Sequence, residues 1–199
     1  MLGAFGVPGP GRVQVYDDEV SQAVGFVPVD GRGSMPFALL HGESLVAVAS
    51  WALGEAGVAL LDFTTDWAAV QALEATLVVH DPLCAGTPVT FLAEAVRVAE
   101  ADGVVVAGSR PVTDTVKEVD DSGVLGRTLD REALRAVTSP VVLPAGVVAA
   151  LPALPSTDDL ADLVATLAEQ HEVVFLEAPA SGRRVVDASD VRLLEALSD

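Results

Sequence analysis

Short Val-rich bursts alternate along this chain with stretches of helical periodicity, and that alternation leaves few folds open. The bursts are VGFVPV (24–29), GVALLDF (57–63), ATLVVHD (75–81), GVVVAGS (103–109), SPVVLP (139–144) and EVVFLEA (172–178). Each is strand-length and apolar without polar alternation, the pattern of a strand covered on both faces. Between them lie ESLVAVASWALGEA (43–56), DWAAVQALEA (66–75), PVTFLAEAVRVAEA (88–101), TDDLADLVATLAEQ (157–170) and DASDVRLLEALSD (187–199), all with helix-like spacing. Thr157 with Asp158 and Asp159 offers an N-terminal cap and sets acid against the helix dipole, while Pro88 suits a first helical position. The expectation is an α/β domain, a mostly parallel sheet with helices on both faces. Residues 1–22 precede the first buried strand as an N-terminal extension. Its GVPGPGR (6–12) is turn-rich, and VQVY (13–16) is either an added edge strand or part of a loose arm. Residues 23–199 read as a single domain.

Charge narrows the partners. The 199 residues carry 29 Asp+Glu against 11 Lys+Arg, a formal net charge of −18 spread along the chain. Such a surface repels nucleic-acid backbones and anionic lipid, so neither is an expected partner, and it keeps a Val-rich chain soluble. A single cysteine, Cys84, excludes an internal disulfide and fits a reducing cytoplasm. The N-terminus lacks a basic flank followed by an apolar run, and charges break the other apolar runs well short of a membrane span. A soluble, acidic, cytoplasmic protein is expected.

Because cations are scarce, their placement is informative. RPVTDTVKEVDDSGVLGRTLDREAL (110–134) runs from a strand-like PVTDTVK into an acidic, Gly-containing tip and back, gathering Thr115, Lys117, Arg127 and Arg131 around one hairpin. Two strand ends also invite ligands, since open α/β sheets bind at the carboxyl edge. After the first strand, Asp30-Gly31-Arg32-Gly33-Ser34 is either a phosphate-cradling turn or an ordinary tight one. After ATLVV, Asp81 could hold a divalent cation or simply cap a turn. His41 and His171 have no companion at metal-ligand spacing. Cys84 lacks a basic neighbour and reads as inert, and Trp51 and Trp67 read as core or helix-packing residues.

Taken in order, VPVDGRGS (27–34), FALLHGESL (37–45), LVVHD (77–81), PVTDTVKEV (111–119), RTLDREAL (127–134), STDDLADLV (156–164) and GRRVVDASDVRLLEAL (182–197) resemble the methylerythritol phosphate cytidylyltransferases of isoprenoid precursor synthesis. The resemblance implies a Rossmann-like nucleotidyltransferase fold, a three-layer sandwich with a protruding β-arm at 113–128 that makes a homodimer. It implies attack of a sugar-alcohol phosphate on the α-phosphate of CTP with Mg²⁺, chemistry that is mostly positioning and charge neutralisation. Asp81 then matches the aspartate near substrate and metal. Thr115 and Arg131, with Lys117 beside them, match the arm residues that grip the sugar phosphate of a partner's site. Arg184 stands where the family has a late lysine, and Gly31, Arg32 and Gly33 are what remains of its nucleotide loop.

The nucleotide side departs from the family pattern at several places. The loop A-A-G-x-G-x-R is shortened to VDGRGS, with Arg32 out of register, and Met35-Pro36-Phe37 stands where a lysine is expected. Cys84 replaces an arginine, G-G-x-x-R-x-x-S is missing between Phe63 and Leu77, and Gly182 and Val186 replace an asparagine and a threonine. Taking one preorganised donor away from a developing charge costs roughly 3–4 kcal/mol of transition-state stabilisation. The expectation is a catalytically impaired, divergent member that binds a small phosphate or sugar phosphate at a dimer site, with no cofactor. The alternative is an active CTP-dependent nucleotidyltransferase using Mg²⁺ and an altered nucleotide loop. A third arrangement lends the arm to an active homologue in a heterodimer.

Overall fold

A computed structural model describes residues 23–62, 65–120 and 122–198; the extension 1–22, with its VQVY segment, lies outside them. In chain order the strands are β1 (Ala23–Phe26), β2 (Leu39–Leu40), β3 (Glu43–Ser44), β4 (Ala59–Leu60), β5 (Thr76–Val79), β6 (Val105–Pro111), β7 (Lys117–Val119), β8 (Leu125–Thr128), β9 (Arg135–Leu143) and β10 (Val173–Glu177). The helices are α1 (Leu45–Glu55), α2 (Trp67–Ala72), α3 (Val89–Asp102), α4 (Ala145–Ala150), α5 (Leu160–Ala168) and α6 (Ala188–Ser198).

The central sheet runs β10-β6-β9-β5-β1-β4. Successive residues of its inner strands go to opposite layers, as a period of two requires. Leu77, Val79, Val105, Ala107, Val141 and Leu143 pack against α4 and α5 through Val147, Val148, Leu160, Leu163, Val164 and Leu167. Val78, Val106 and Val142 pack the other way, against Ala52 and Leu53 of α1 and Leu92, Ala95, Val96 and Ala99 of α3. The result is the expected three-layer α/β sandwich, and β5 is buried at every position because both of its faces are covered. A third cluster, with Leu40, Leu45, Leu83, Val185, Val191 and Leu194, fastens α6 and the β2–β3 hairpin onto the rest.

The sheet is mostly parallel, with one reversal. β1 is parallel to β4 and β5, and β10 to β6, while β9 runs antiparallel to β5 and β6. SPVVLP is therefore the second half of a strand that already begins at Arg135. The chain leaves β6 through the hairpin and comes straight back beside it, which dictates the opposite direction. β7 and β8 pair antiparallel as a separate two-stranded sheet, with Val119, Val124 and Leu125 exposed. Arg127 closes that arm on Glu118 at 2.7 Å.

Other local expectations shift. The cap of α5 is Asp159, whose Oδ1 accepts from Ala161 N–H at 2.7 Å, rather than Thr157, and Pro88 sits one place earlier, at the N-cap of α3. Trp67 packs against the core and donates its indole N–H to Leu151 O at 3.0 Å. Trp51, expected to be packed, is 62% exposed. Apolar residues lie nearly all round α1, so periodicity cannot tell its inner face from its outer one. The short helix α4 has no counterpart among the sequence expectations, because AGVVAA is too brief and uniformly apolar to display a helical period. Among the described residues no helix is long and apolar enough to cross a membrane.

Where β6 meets β9 the register shifts at Ala107/Gly108, and a Cβ on Gly108 would lie 2.5 Å from Ser139 O. Gly54 in α1 has open space around the same position. Gly108→Ala should therefore lower stability by about 1–3 kcal/mol. Gly54→Ala should raise it by about 0.5–1 kcal/mol. Urea unfolding of the two variants beside wild type checks both.

Candidate functional site

The loop after β1, the end of β5, the turn before α5 and the segment before α6 converge on one carboxylate. Asp81 caps the short 3-10 turn Pro82–Cys84, its Oδ1 accepting from Leu83 N–H at 2.9 Å. The same Oδ1 accepts from Arg32 Nε at 2.8 Å, and Oδ2 accepts from Arg184 Nε at 3.2 Å. Arg184 is delivered by its buried neighbour Val185, whose N–H bonds Leu83 O at 2.8 Å. The side chains of Arg32 and Asp81 are 0% and 2% exposed, whereas that of Arg184 is 39% exposed.

Arg32 is fully employed. Its remaining guanidinium nitrogens donate to Asp30 O and Thr157 O, both at 2.7 Å. The backbone helps: Gly31 has φ +75°, and a Cβ there would lie 2.8 Å from Asp158 Cβ, so the two loops touch where only glycine fits. Gly33, at φ +58°, faces open space. The turn is thus folded around its own arginine.

Beside it, at the carboxyl ends of β1 and β4, lies a cavity of about 500 Å³. Its walls include Phe26, Pro28, Leu61, Trp67 and Leu154, with Asp30 and Thr157 on the side of the arginine loop; among the described residues that line it there is no Lys or Arg.

The arm residues sit apart. Thr115, Lys117 and Arg131 are exposed, and Arg131 donates to Thr113 O at 2.8 Å, bracing the base of the arm. Within the chain the Asp81 carboxylate is held by Arg32 and Arg184, both carried to it by loops at the strand ends. Mg²⁺ prefers near-octahedral oxygen ligation and keeps several waters. A buried carboxylate already holding two guanidiniums and a backbone N–H does not fit it. Among the described residues no three or more His, Cys, Asp or Glu converge as a metal group.

Sequence reasoning missed His80 and Ser139. Ser139 Oγ accepts from Asp81 N–H at 2.9 Å and lies 2.5 Å from His80 Nδ1. Its donor and an acceptor position are both used if the hydroxyl donates to Nδ1 of a neutral ring. His80 Nε2 is buried with no hydrogen-bond partner among the described residues. Burial, only partly offset by the charge of Asp81, pulls the imidazole down to about 4. Burial, reinforced by Asp81, pushes the Cys84 thiol up to about 12, in keeping with an unreactive sulfur. The one available signal for His80 was its place next to a fully apolar strand, while Ser139 lies too far along the chain to be matched with it.

The His80 shift gives stability a pH dependence of known sign. An exposed imidazole takes a proton near 6.5 and the buried one only near 4, so the unfolded chain binds more protons between those values. Stability contributed by the neutral ring is complete above about 6.5 and is lost as pH falls toward 4, by about 3 kcal/mol in all. Urea unfolding from pH 7 to 4 checks this: the difference between wild type and His80→Gln should carry a slope of about one proton in that window.

Comparison with known proteins places these features. The sequence profile of the family described as IspD, 2-C-methyl-D-erythritol 4-phosphate cytidylyltransferase, matches residues 64–185, more than half of the chain. That stretch takes in Asp81, Thr115, Lys117, Arg131 and Arg184, while Gly31, Arg32 and Gly33 precede it. A 2-C-methyl-D-erythritol 4-phosphate cytidylyltransferase of Nocardia farcinica is 39% identical over 123 residues, 61% of this chain and 52% of that protein. A bifunctional enzyme IspD/IspF of Clavibacter michiganensis is 34% identical over 122 residues, 61% of this chain and 30% of that protein. The matches thus span about half or less of these relatives. In three dimensions the chain resembles the 2-C-methyl-D-erythritol 4-phosphate cytidylyltransferase of Thermus thermophilus, with TM-score 0.64 and 22% identity over 89% of this chain and 98% of that one. The 4-diphosphocytidyl-2C-methyl-D-erythritol synthase of Anaerococcus prevotii gives TM-score 0.65 at 11% identity with the same coverage. Fold, segment order and the profile match agree: this chain belongs to the 2-C-methyl-D-erythritol 4-phosphate cytidylyltransferase family.

Proposed function

We propose that this family member is catalytically impaired and binds a small phosphate or sugar phosphate at a site shared between two copies. The observation that carries the reading is the commitment of Arg32. It is the lone cation of the loop after β1, and its side chain is sealed against Asp81 and two backbone carbonyls. A nucleoside triphosphate at that loop would find no free guanidinium there, and the described residues lining the adjoining cavity offer no other cation. Neutralising developing phosphate charge is most of what such an enzyme does.

The sugar-phosphate side is better equipped. Arg184 keeps an exposed edge at Asp81, and Thr115, Lys117 and Arg131 stand exposed along an arm that makes no use of them internally beyond the Arg131–Thr113 brace. Exposed Val119, Val124 and Leu125 on a two-stranded sheet are what a partner would cover, and an isolated pair of strands is marginal alone. A symmetric dimer through 113–128 would bring one copy's arm to the other's Asp81. The buried lone thiol suits a cytoplasmic setting. One observation favours the alternative, an active CTP-dependent cytidylyltransferase: the cavity of about 500 Å³ at the carboxyl ends of β1 and β4 has room for a ligand.

Incubation with CTP, Mg²⁺ and methylerythritol phosphate should release no pyrophosphate; turnover near one per second, within the ordinary enzyme range, would establish the active reading instead. Sedimentation at micromolar concentration should give a dimer, and a monomer would remove the shared site. Phosphate at about 100 times its dissociation constant should stabilise the fold by about 2.7 kcal/mol. Arg131→Ala should abolish that thermal stabilisation and leave the dimer intact.

A further inference from the structure

We infer that Arg32 is a built-in cation standing where a divalent metal would sit on Asp81, so that anion binding at this site is metal-independent and falls to the outward edge of Arg184. The anion half rests on the phosphate reading above; the metal half stands on geometry alone.

The first argument is an account of lone pairs. An ionised carboxylate offers about four acceptor positions. Three donors already occupy Asp81: Arg32 Nε and Leu83 N–H on Oδ1, and Arg184 Nε on Oδ2. The second is space. Mg²⁺ gives up its waters reluctantly and usually keeps several, whereas Asp81 is 1% exposed. The third is the consequence of displacement. An ion that expelled Arg32 would strand a guanidinium of 0% exposure and break its bonds to Asp30 O and Thr157 O. The fourth is charge: two guanidiniums bonded to one carboxylate leave that three-residue cluster itself net positive, so a dication gains little by contacting it. The converging loops also carry the exposed carboxylates of Asp30, Asp158, Asp159 and Asp187, and Arg183 is paired with Asp190.

Asp81 thereby becomes a positioning residue. By taking Arg184 Nε it fixes the plane of the guanidinium, and the terminal nitrogens have no hydrogen-bond partner among the described residues. A planar fork with free N–H groups suits two oxygens of a phosphate or phosphate monoester. Arg32 never touches that anion; it holds the Asp81 carboxylate in place, as a metal would, but without exchange.

The test uses the full-length protein and its arginine Nε–H resonances. Titrating Mg²⁺ into wild type should leave the Arg32 and Arg184 signals unshifted, and Mn²⁺ should not bleach them selectively over surface amides. A Mg²⁺-dependent shift of both signals, or their selective loss with Mn²⁺, overturns the metal half. Arg32→Met supplies the converse: its lowered melting temperature should rise with Mg²⁺ or Mn²⁺, and that rise should be absent in wild type and in Arg32→Met/Asp81→Asn. Equal stabilisation of wild type by metal overturns the inference, and if Arg32→Met does not fold the wild-type resonances still decide it. Inorganic phosphate should raise the melting temperature of wild type equally in Mg²⁺ and in EDTA, with the shift lost in Arg184→Gln. Stabilisation that needs Mg²⁺ overturns metal independence. No stabilisation in either condition overturns the phosphate reading and Arg184's part in it, while the arginine signals report on the metal half separately.

Discussion

A buried ion pair, Arg32 to Asp81, holds together four loops that the sheet alone would leave separate. Arg32 rides on the turn after β1, Asp81 ends β5, and the arginine's other nitrogens grip the carbonyls of Asp30 and of Thr157 ahead of α5. Arg184 joins from the segment ahead of α6. Removing two charges from water costs several kcal/mol per ion, and such a pair is retained only where every remaining donor and acceptor finds a partner. Here each guanidinium nitrogen of Arg32 and each oxygen of Asp81 has at least one, through backbone carbonyls, the Leu83 N–H and Arg184. Losing one partner would strand the other, so the pair fixes the geometry of the ligand edge more than it adds net stability.

That constraint links fold to function. In open α/β sheets the carboxyl edge is where strand ends and helix starts leave backbone groups free for ligands. In this chain part of that edge is satisfied from within. The arginine of the Gly31-Arg32-Gly33 turn points inward onto the protein's own aspartate, and the arginine left partly exposed comes from the far end of the sequence.

How much of this was legible depended on the range of the interactions. Strand and helix positions follow from local period, so the apolar run TLVV of β5 and the amphipathic helix α5 stand out in the sequence. The direction of β9 did not, because it is set by how the arm returns to β6 rather than by SPVVLP itself. Trp51 was misjudged because α1 has no clear polar face. Asp81, Arg184, Thr115 and Arg131 could be singled out from motifs, and the chain brings the first two together, but the side chains they meet could not be read. Arg32 meets Asp81 across 49 residues and Ser139 meets His80 across 59. Pairings of that span belong to topology, and no local pattern announces them.

The two tryptophans divide between opposite environments. Trp67 lines the cavity beside β1 and β4, tethered through its indole N–H to Leu151 O, while Trp51 stands in solvent on α1. The chain therefore carries its own optical reporter. An indole at the cavity wall should emit to the blue of one in solvent and respond to whatever enters, so occupancy should be readable without attaching a dye.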